Sequence, residues 1–376
     1  MRIRTRVVAA GGVGVAAAAL LAGPATAATE HHEHAVRPVF VEANDPSGNS
    51  IAVFDRQADG TLHAAGRYAT GGTGGVLDGS VVDHLASQGA LTYDRANHLL
   101  YAVNAGSNSL TVFGVHGDRL HRLQVVGSGG TFPVSVAVRN RVVYVLNARD
   151  GGSIQGFRWF GDDLVRIPSW HRALGLDPTA TPEFVNTPGQ VVFTPRGDQL
   201  VVTTKSNGNQ IDVFHVGRFG RPGAAPTVTP DPGNVPFAVA FDRRRRVEVT
   251  EAGPNAVATY RLHRNGALTF VGRVATGQTA TCWIVGTRKE FFVDNAGSAS
   301  VSTFRATHAG VTLQATTATD AGTIDATISS DRRDLYVQTG GAGTVDEFAI
   351  GARGALTPLG SVTVPGTIGG EGIASA

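Results

Sequence analysis

The stretch Leu100–Phe113 reads LYAVNAGSNSLTVF. Two apolar runs with alternating small and large side chains flank a polar Asn-Ala-Gly-Ser-Asn centre, which spells strand, tight turn, strand. The pattern returns along the chain. Copies end at Phe54, Phe113, Phe157, Phe214, Tyr260, Phe304 and Phe348, at intervals of 59, 44, 57, 46, 44 and 44 residues. A short polar hairpin follows each closing aromatic (DGTL, GDRL, GDDL, NGAL, RGAL), and a small-residue strand precedes most pairs, as in PVSVAVRN and PFAVAFD. Four strands recurring every 44 or so residues are the period and strand count of a β-propeller blade. The sequence therefore predicts an all-β fold, a single seven-bladed β-propeller over residues 36–376. RPVFVEAND near the start matches the second strand of a blade and GGEGIASA at the end matches the first. One blade is expected to be completed by both termini, leaving no open sheet edge.

Composition agrees. Of 376 residues 42% are hydrophobic and 16% charged, and Gly numbers 49, a profile for many short strands and tight turns. Residues 1–27 read as a secretory signal. Arg2, Arg4 and Arg6 precede an apolar run from Val7 to Ala22, and Ala25-Thr26-Ala27 fits signal peptidase. The run is short for a membrane span, so a secreted, extracellular protein is expected, with no membrane insertion after signal removal. Without the three signal arginines, 29 Lys+Arg face 30 Asp+Glu. That near-neutral balance gives no global reason to bind nucleic acid. The single cysteine, Cys282, allows no intramolecular disulfide and reads as a small buried hydrophobe.

The seven Y-V-x-N-x-x-S-N-S-V-x-V-F-like copies resemble the YVTN-type repeats of the lactonase-like seven-bladed propellers, which include propeller-type 6-phosphogluconolactonases and fungal carboxy-muconate cyclases. TGGTGG, SQGAL, GGTFPVSV and TGQTATCW resemble secreted actinobacterial members in particular. The resemblance implies a metal-independent lactone hydrolase or a cyclase-like enzyme, with no cofactor. It also implies a Pro-Arg-His at the start of an inner strand in mid-ring. Here the matching place holds Pro188-Gly189-Gln190, without the Arg and His suited to steadying an anion and moving a proton. A signal peptide would also keep the protein away from cytosolic phosphogluconate. Two readings stand side by side: an enzyme acting on a small lactone-type molecule, and a non-catalytic extracellular binding or interaction scaffold. Either is expected to be monomeric, with a small oxygenated molecule or an extracellular partner as ligand.

Seven blades supply their own comparison. The end of the second strand reads Asn44, Asn104, Asn147, Thr204, Glu251, Asn295 and Thr339. Asn and Thr there can fix the next turn through the backbone. Glu251 breaks the pattern, and Lys205 follows Thr204 where most copies have Ala or Gly. An ion pair between adjacent blades and a substrate-facing acid/base with its cation are the two accounts. Two insertions, Thr70–Ser87 and Pro168–Pro188, lengthen connections between blades and should overhang the same channel mouth, where function usually sits. The first brings Asp83 and His84, the latter a candidate general base. The second brings Trp170, His171 and Glu183 as ligand contacts or packing, with Trp170 a possible floor for a ring. Arg149 occurs once in a turn on this face, as a ligand contact or a solvated charge. His31, His32 and His34, in a flexible His-rich tail over residues 28–35, could bind Zn or Cu. On the opposite face the DRRRR turn, Asp242–Arg246, reads as solvated; contact with an acidic polymer is the alternative, through a small patch.

Overall fold

The computed structural model of the protein describes residues 37–376. The signal sequence and the His31, His32 and His34 cluster lie outside the described residues. Seven four-stranded antiparallel sheets make up the chain. Each inner strand touches the inner strands on both sides: Ile373–Ser375, Leu91–Asp94, Pro133–Arg139, Gln190–Phe193, Pro236–Phe241, Thr281–Gly286 and Thr323–Ile328 in ring order. The fold is a seven-bladed β-propeller, numbered here from the blade that contains Pro38–Glu42.

Blade 1 is closed by both ends of the chain. Its inner strand, Ile373–Ser375, pairs antiparallel with Pro38–Glu42 through Val39↔Ser375, Phe40↔Ala374 and Val41↔Ile373. Every quoted repeat forms the second and third strands of a blade; Leu99–Asn104 with Ser109–His116 is the pair that contains LYAVNAGSNSLTVF.

The repeat encodes the contact between blades as well as the blade. Its apolar side chains alternate between the two faces of each sheet and both faces are covered by neighbouring blades. The second and third strands are consequently buried along almost their whole length, whereas outer strands alternate buried and exposed. The repeat tyrosines Tyr144 and Tyr336 are fully buried. Each donates its hydroxyl to a hairpin carbonyl of the next blade: Tyr144 to Gly220 O at 2.6 Å, Tyr336 to Gly60 O at 2.8 Å. A buried hydroxyl needs such a partner, so in these two repeats a single tyrosine supplies both bulk and a polar tie. The repeat asparagines serve their turns: Asn104 Nδ2 donates to Ser109 and Thr111 hydroxyls, and Asn44 Nδ2 to Gly75 O.

One boundary differs from the sequence reading. The outer strand of blade 3 runs Asp163–Ala173, through Pro168, so Trp170 and His171 belong to a strand and not to an inserted loop. Proline is tolerated there because it falls in a bulge of the outermost strand: pairing jumps from Phe157↔Arg166 to Gln155↔His171, so Pro168 stands where the ladder is already interrupted. Trp170 is buried, its ring stacked on Tyr144 at 6.2 Å and 13°. His171 is exposed on the same strand.

Antiparallel order puts the third-to-fourth strand hairpin of every blade, and the first-to-second hairpin of every blade but blade 1, at one end of the ring. The remaining turns and all connections between blades lie at the other end. Both insertions are connections between blades and therefore share that second end.

Candidate functional site

The first insertion does not overhang the channel as a free loop; it enters it. His84 N donates to Gly369 O at 2.9 Å, beside blade 1. The Ser87 hydroxyl bonds the Glu371 carboxylate and Val134 O. The Gln88 amide crosses to blade 6 and pairs both ways with Ile284, Nε2 to O at 2.9 Å and Oε1 from N at 2.8 Å. Trp283 Nε1 donates to Ser87 O. Residues 83–88 thus form a plug held by blades 1, 3 and 6.

Lys205 fastens the plug. Its ammonium donates to Ala86 O at 2.6 Å in the first insertion. It also donates to Phe184 O at 2.6 Å and Thr187 Oγ1 at 3.0 Å in the second. All three protons are used. Burial pushes its pKa down to about 8, against the attraction of Asp83 and other nearby acids. The Phe237 ring lies 5.4 Å below the nitrogen. A second tie runs through Arg149 and Glu183. Arg149 Nε and Nη2 grip Glu183 at 2.6 and 2.9 Å, and the same carboxylate accepts Asp78 N at 2.8 Å from the first insertion. A polar cavity of about 150 Å³ lies beside this pair, lined also by Asp150 and Asp177.

The expected pairing of Lys205 with Glu251 across neighbouring blades does not form. Glu251 is fully buried and turns to its own blade, where Arg273 Nε and the Tyr260 hydroxyl donate to it. Burial raises its pKa to about 7 despite Arg273. Asp83 and Lys205 line one cavity, and Asp83 accepts Leu85 N at 2.9 Å and Ser87 N at 3.3 Å. His84 is half-buried against Gly369, and burial lowers its pKa. The structure therefore brings together Asp83 and Lys205, and separately Arg149 and Glu183. Glu251, His171 and Trp170 stand apart from them.

The cavity beneath the plug is almost wholly apolar. About 160 Å³ in volume, it is walled by Val82, Phe184, Val185, Val235, Phe237 and Trp283 with small residues between, and Val81, 80% exposed, stands at its edge. An apolar cavity of about 150 Å³ holds one benzene-sized molecule. Cys282 lines it too, its thiol pushed up to about 12 by burial, which leaves it protonated and unreactive near neutral pH.

Gln88 and a set of buried acids were not legible as site residues. Asp325, Glu371, Glu42 and Asp294 are all buried. Burial raises each of them, Asp325 to about 7. Asp294 has no hydrogen-bond partner on either oxygen. Among the described residues no group of three or more His, Cys, Asp or Glu is arranged to hold a metal ion.

No protein-family profile matches the chain, and no curated protein matches it in sequence. Solved structures do match in fold. A candidate 6-phosphogluconolactonase from Bacteroides fragilis superposes with TM-score 0.73 at 18% identity, over 91% of this chain and 98% of its own. The periplasmic gluconolactonase PpgL of Pseudomonas aeruginosa gives 0.73 at 16%, over 90% and 99%. Virginiamycin B lyase from Staphylococcus aureus gives 0.52 at 13%, over 76% and 87%. At these identities the likeness is one of fold, which hosts many activities.

Proposed function

We propose that this protein is a lactonase-like propeller that captures a small, mainly apolar ring molecule in the cavity beneath its channel plug, and that it is a binding protein rather than a hydrolase. The observation that carries this reading is the division of labour at the mouth. Its charged groups are committed to holding the insertions, and the space they leave is apolar. A benzene-sized aromatic or a lactone with a short alkyl chain matches the volume and the walls. A phosphorylated sugar would find no free cation there, since Lys205 has spent its donors on Ala86, Phe184 and Thr187.

Export belongs to the same proposal. It rests on the basic start, apolar run and Ala25-Thr26-Ala27 of the sequence, and a periplasmic gluconolactonase is among the fold relatives.

One observation favours a second reading, lactone hydrolysis. Asp83 and Lys205 line the same cavity, an acid and an amine beside an apolar chamber. In that reading Asp83 takes a proton from the water that attacks the ring carbonyl, and Lys205 steadies the developing oxyanion. Lys205 would have to release Ala86 or Phe184 to do so, which places this reading second. Acid release from alkyl lactones by the purified mature protein separates the two. Binding without acid release supports capture; turnover that disappears in a folded Asp83→Asn variant supports hydrolysis.

A further inference from the structure

The near-neutral charge of the mature chain hides a separation between the two ends of the ring. At the end away from the insertions, thirteen hairpins carry fourteen Arg or Lys against six Asp and no Glu. All fourteen cations are exposed. Of these fourteen only Arg196 has an acidic partner among the described residues, Asp198 at 3.5 Å. At the insertion-bearing end the fourteen turns and connections carry nine Asp or Glu against two cations, Arg149 and Lys205, neither of them exposed.

We propose that the end opposite the insertions is a docking surface for a flexible polyanion, a chain polymer bearing repeated oxyanion groups. Thirteen of the fourteen cations are arginine, whose planar fork binds phosphate and carboxylate through two parallel hydrogen bonds. The DRRRR turn is one sector of this surface. Arg243 N of that turn donates to Arg288 O of the next blade at 3.2 Å, so neighbouring blades present their arginines side by side. The wide mouth of the channel opens among them, lined by Arg139 and Arg288 at its rim and by Phe193, Phe241 and Ile284 inside.

The arrangement selects among anionic partners. The cations sit on separate hairpins around a ring, a curved track that a flexible chain can follow and a stiff duplex cannot. Phe219 and Phe160, 63% and 53% exposed, are apolar groups on this end. Arg158 covers both rings, at 5.9 and 5.6 Å, and Arg218 lies 5.4 Å from Phe219. Rings capped by guanidinium groups suit stacking against a polar chain better than insertion into a bilayer.

The test is binding of the full mature protein to inorganic polyphosphate and to poly-glutamate, two flexible chains that separate phosphate from carboxylate, over a range of salt. The surface predicts binding to at least one of them that weakens steeply with salt. Arg243→Glu with Arg288→Glu should reduce affinity by about tenfold or more at low salt, because removing phosphate-contacting cations lowers both affinity and salt slope. The charge-matched Arg122→Glu with Arg166→Glu, on exposed outer strands, should change it less than about twofold. Three results would overturn the proposal: no binding to either polymer at low salt, equal loss in the two double variants, or tighter binding to duplex DNA or anionic phospholipid vesicles than to both flexible chains. Thermal melts of both variants confirm that they fold.

Discussion

Lys205 of blade 4 donates its ammonium to the carbonyl of Ala86, 119 positions earlier in the chain, at 2.6 Å. With the bonds to Phe184 and Thr187, this contact makes one side chain the fastening for both inserted segments. The residue that looks most like a catalytic lysine from its sequence position and lowered pKa is occupied in closing the channel.

Replacing Lys205 by Met keeps the length and removes the donors. Three acceptors, two of them fully buried, lose their partner, and Asp83 loses a nearby countercharge. Breaking such a buried arrangement costs about 3–5 kcal/mol. Chemical denaturation should show a loss of that order. Amide hydrogen exchange should rise in residues 83–88 and 183–188 ahead of the rest of the ring. A loss below about 1 kcal/mol would show that the plug does not depend on this lysine.

The Arg149–Glu183 tie is partly exposed, and water screens it. Arg149→Ala is expected to cost about 1 kcal/mol or less, measured in the same denaturation series. Exchange should rise only locally, near Asp78 and Glu183. Equal effects of Arg149→Ala and Lys205→Met would contradict the ranking given to the two fastenings.

Glu251 is assigned to its blade, through Arg273 and Tyr260. Glu251→Gln should lower stability by about 1–2 kcal/mol, as a charge-assisted hydrogen bond is weakened. Ligand affinity and any acid release should stay unchanged. A folded Glu251→Gln protein that loses ligand binding would restore this residue to the site.

Buried carboxylates give the fold a pH signature. Asp325 is raised to about 7, and Asp83, Glu371, Glu42 and Asp294 are also raised by burial. Between about pH 4 and 7 the folded state then holds more protons than the unfolded chain, so stability falls as pH rises. Asp325 alone contributes up to about 4 kcal/mol of that fall. Lys205 acts above this window. Its pKa, lowered to about 8, means that the folded state binds fewer protons between about pH 8 and 10.5, and its contribution rises with pH there. Melting temperature should decline from pH 5 to a minimum near pH 7–8. A melting temperature that climbs steadily from pH 5 to 8 would show that these acids are not held neutral by the fold.

The architecture was legible because the sequence states it seven times. Period, strand pairs and the matching of GGEGIASA with RPVFVEAND needed only local alternation and turn chemistry. The site was less legible because it is made by segments that meet across the ring. Lys205 and Glu251 stood out as departures from the repeat. Nothing nearby in sequence showed that Arg273 waits on the outer strand of the same blade, or that Ala86 and Phe184 reach Lys205 from 119 and 21 positions away. Pro168 suggested the start of a loop, yet the outermost strand carries it in a bulge and resumes its pairing at His171. Gln88 gave no signal, being an ordinary polar residue before a strand, and its partner Ile284 lies 196 positions on.

The most direct test of the account is calorimetric titration of the mature protein with indole and with a short-chain alkyl lactone, beside Ala252→Leu, which adds bulk to the wall of the cavity. The account predicts one site per chain in the native protein, a negative heat-capacity change from apolar burial, and loss of binding in a variant that melts as the native protein does. Absence of binding by either probe, or binding that survives Ala252→Leu unchanged, would contradict the cavity beneath the plug as the working site of this protein.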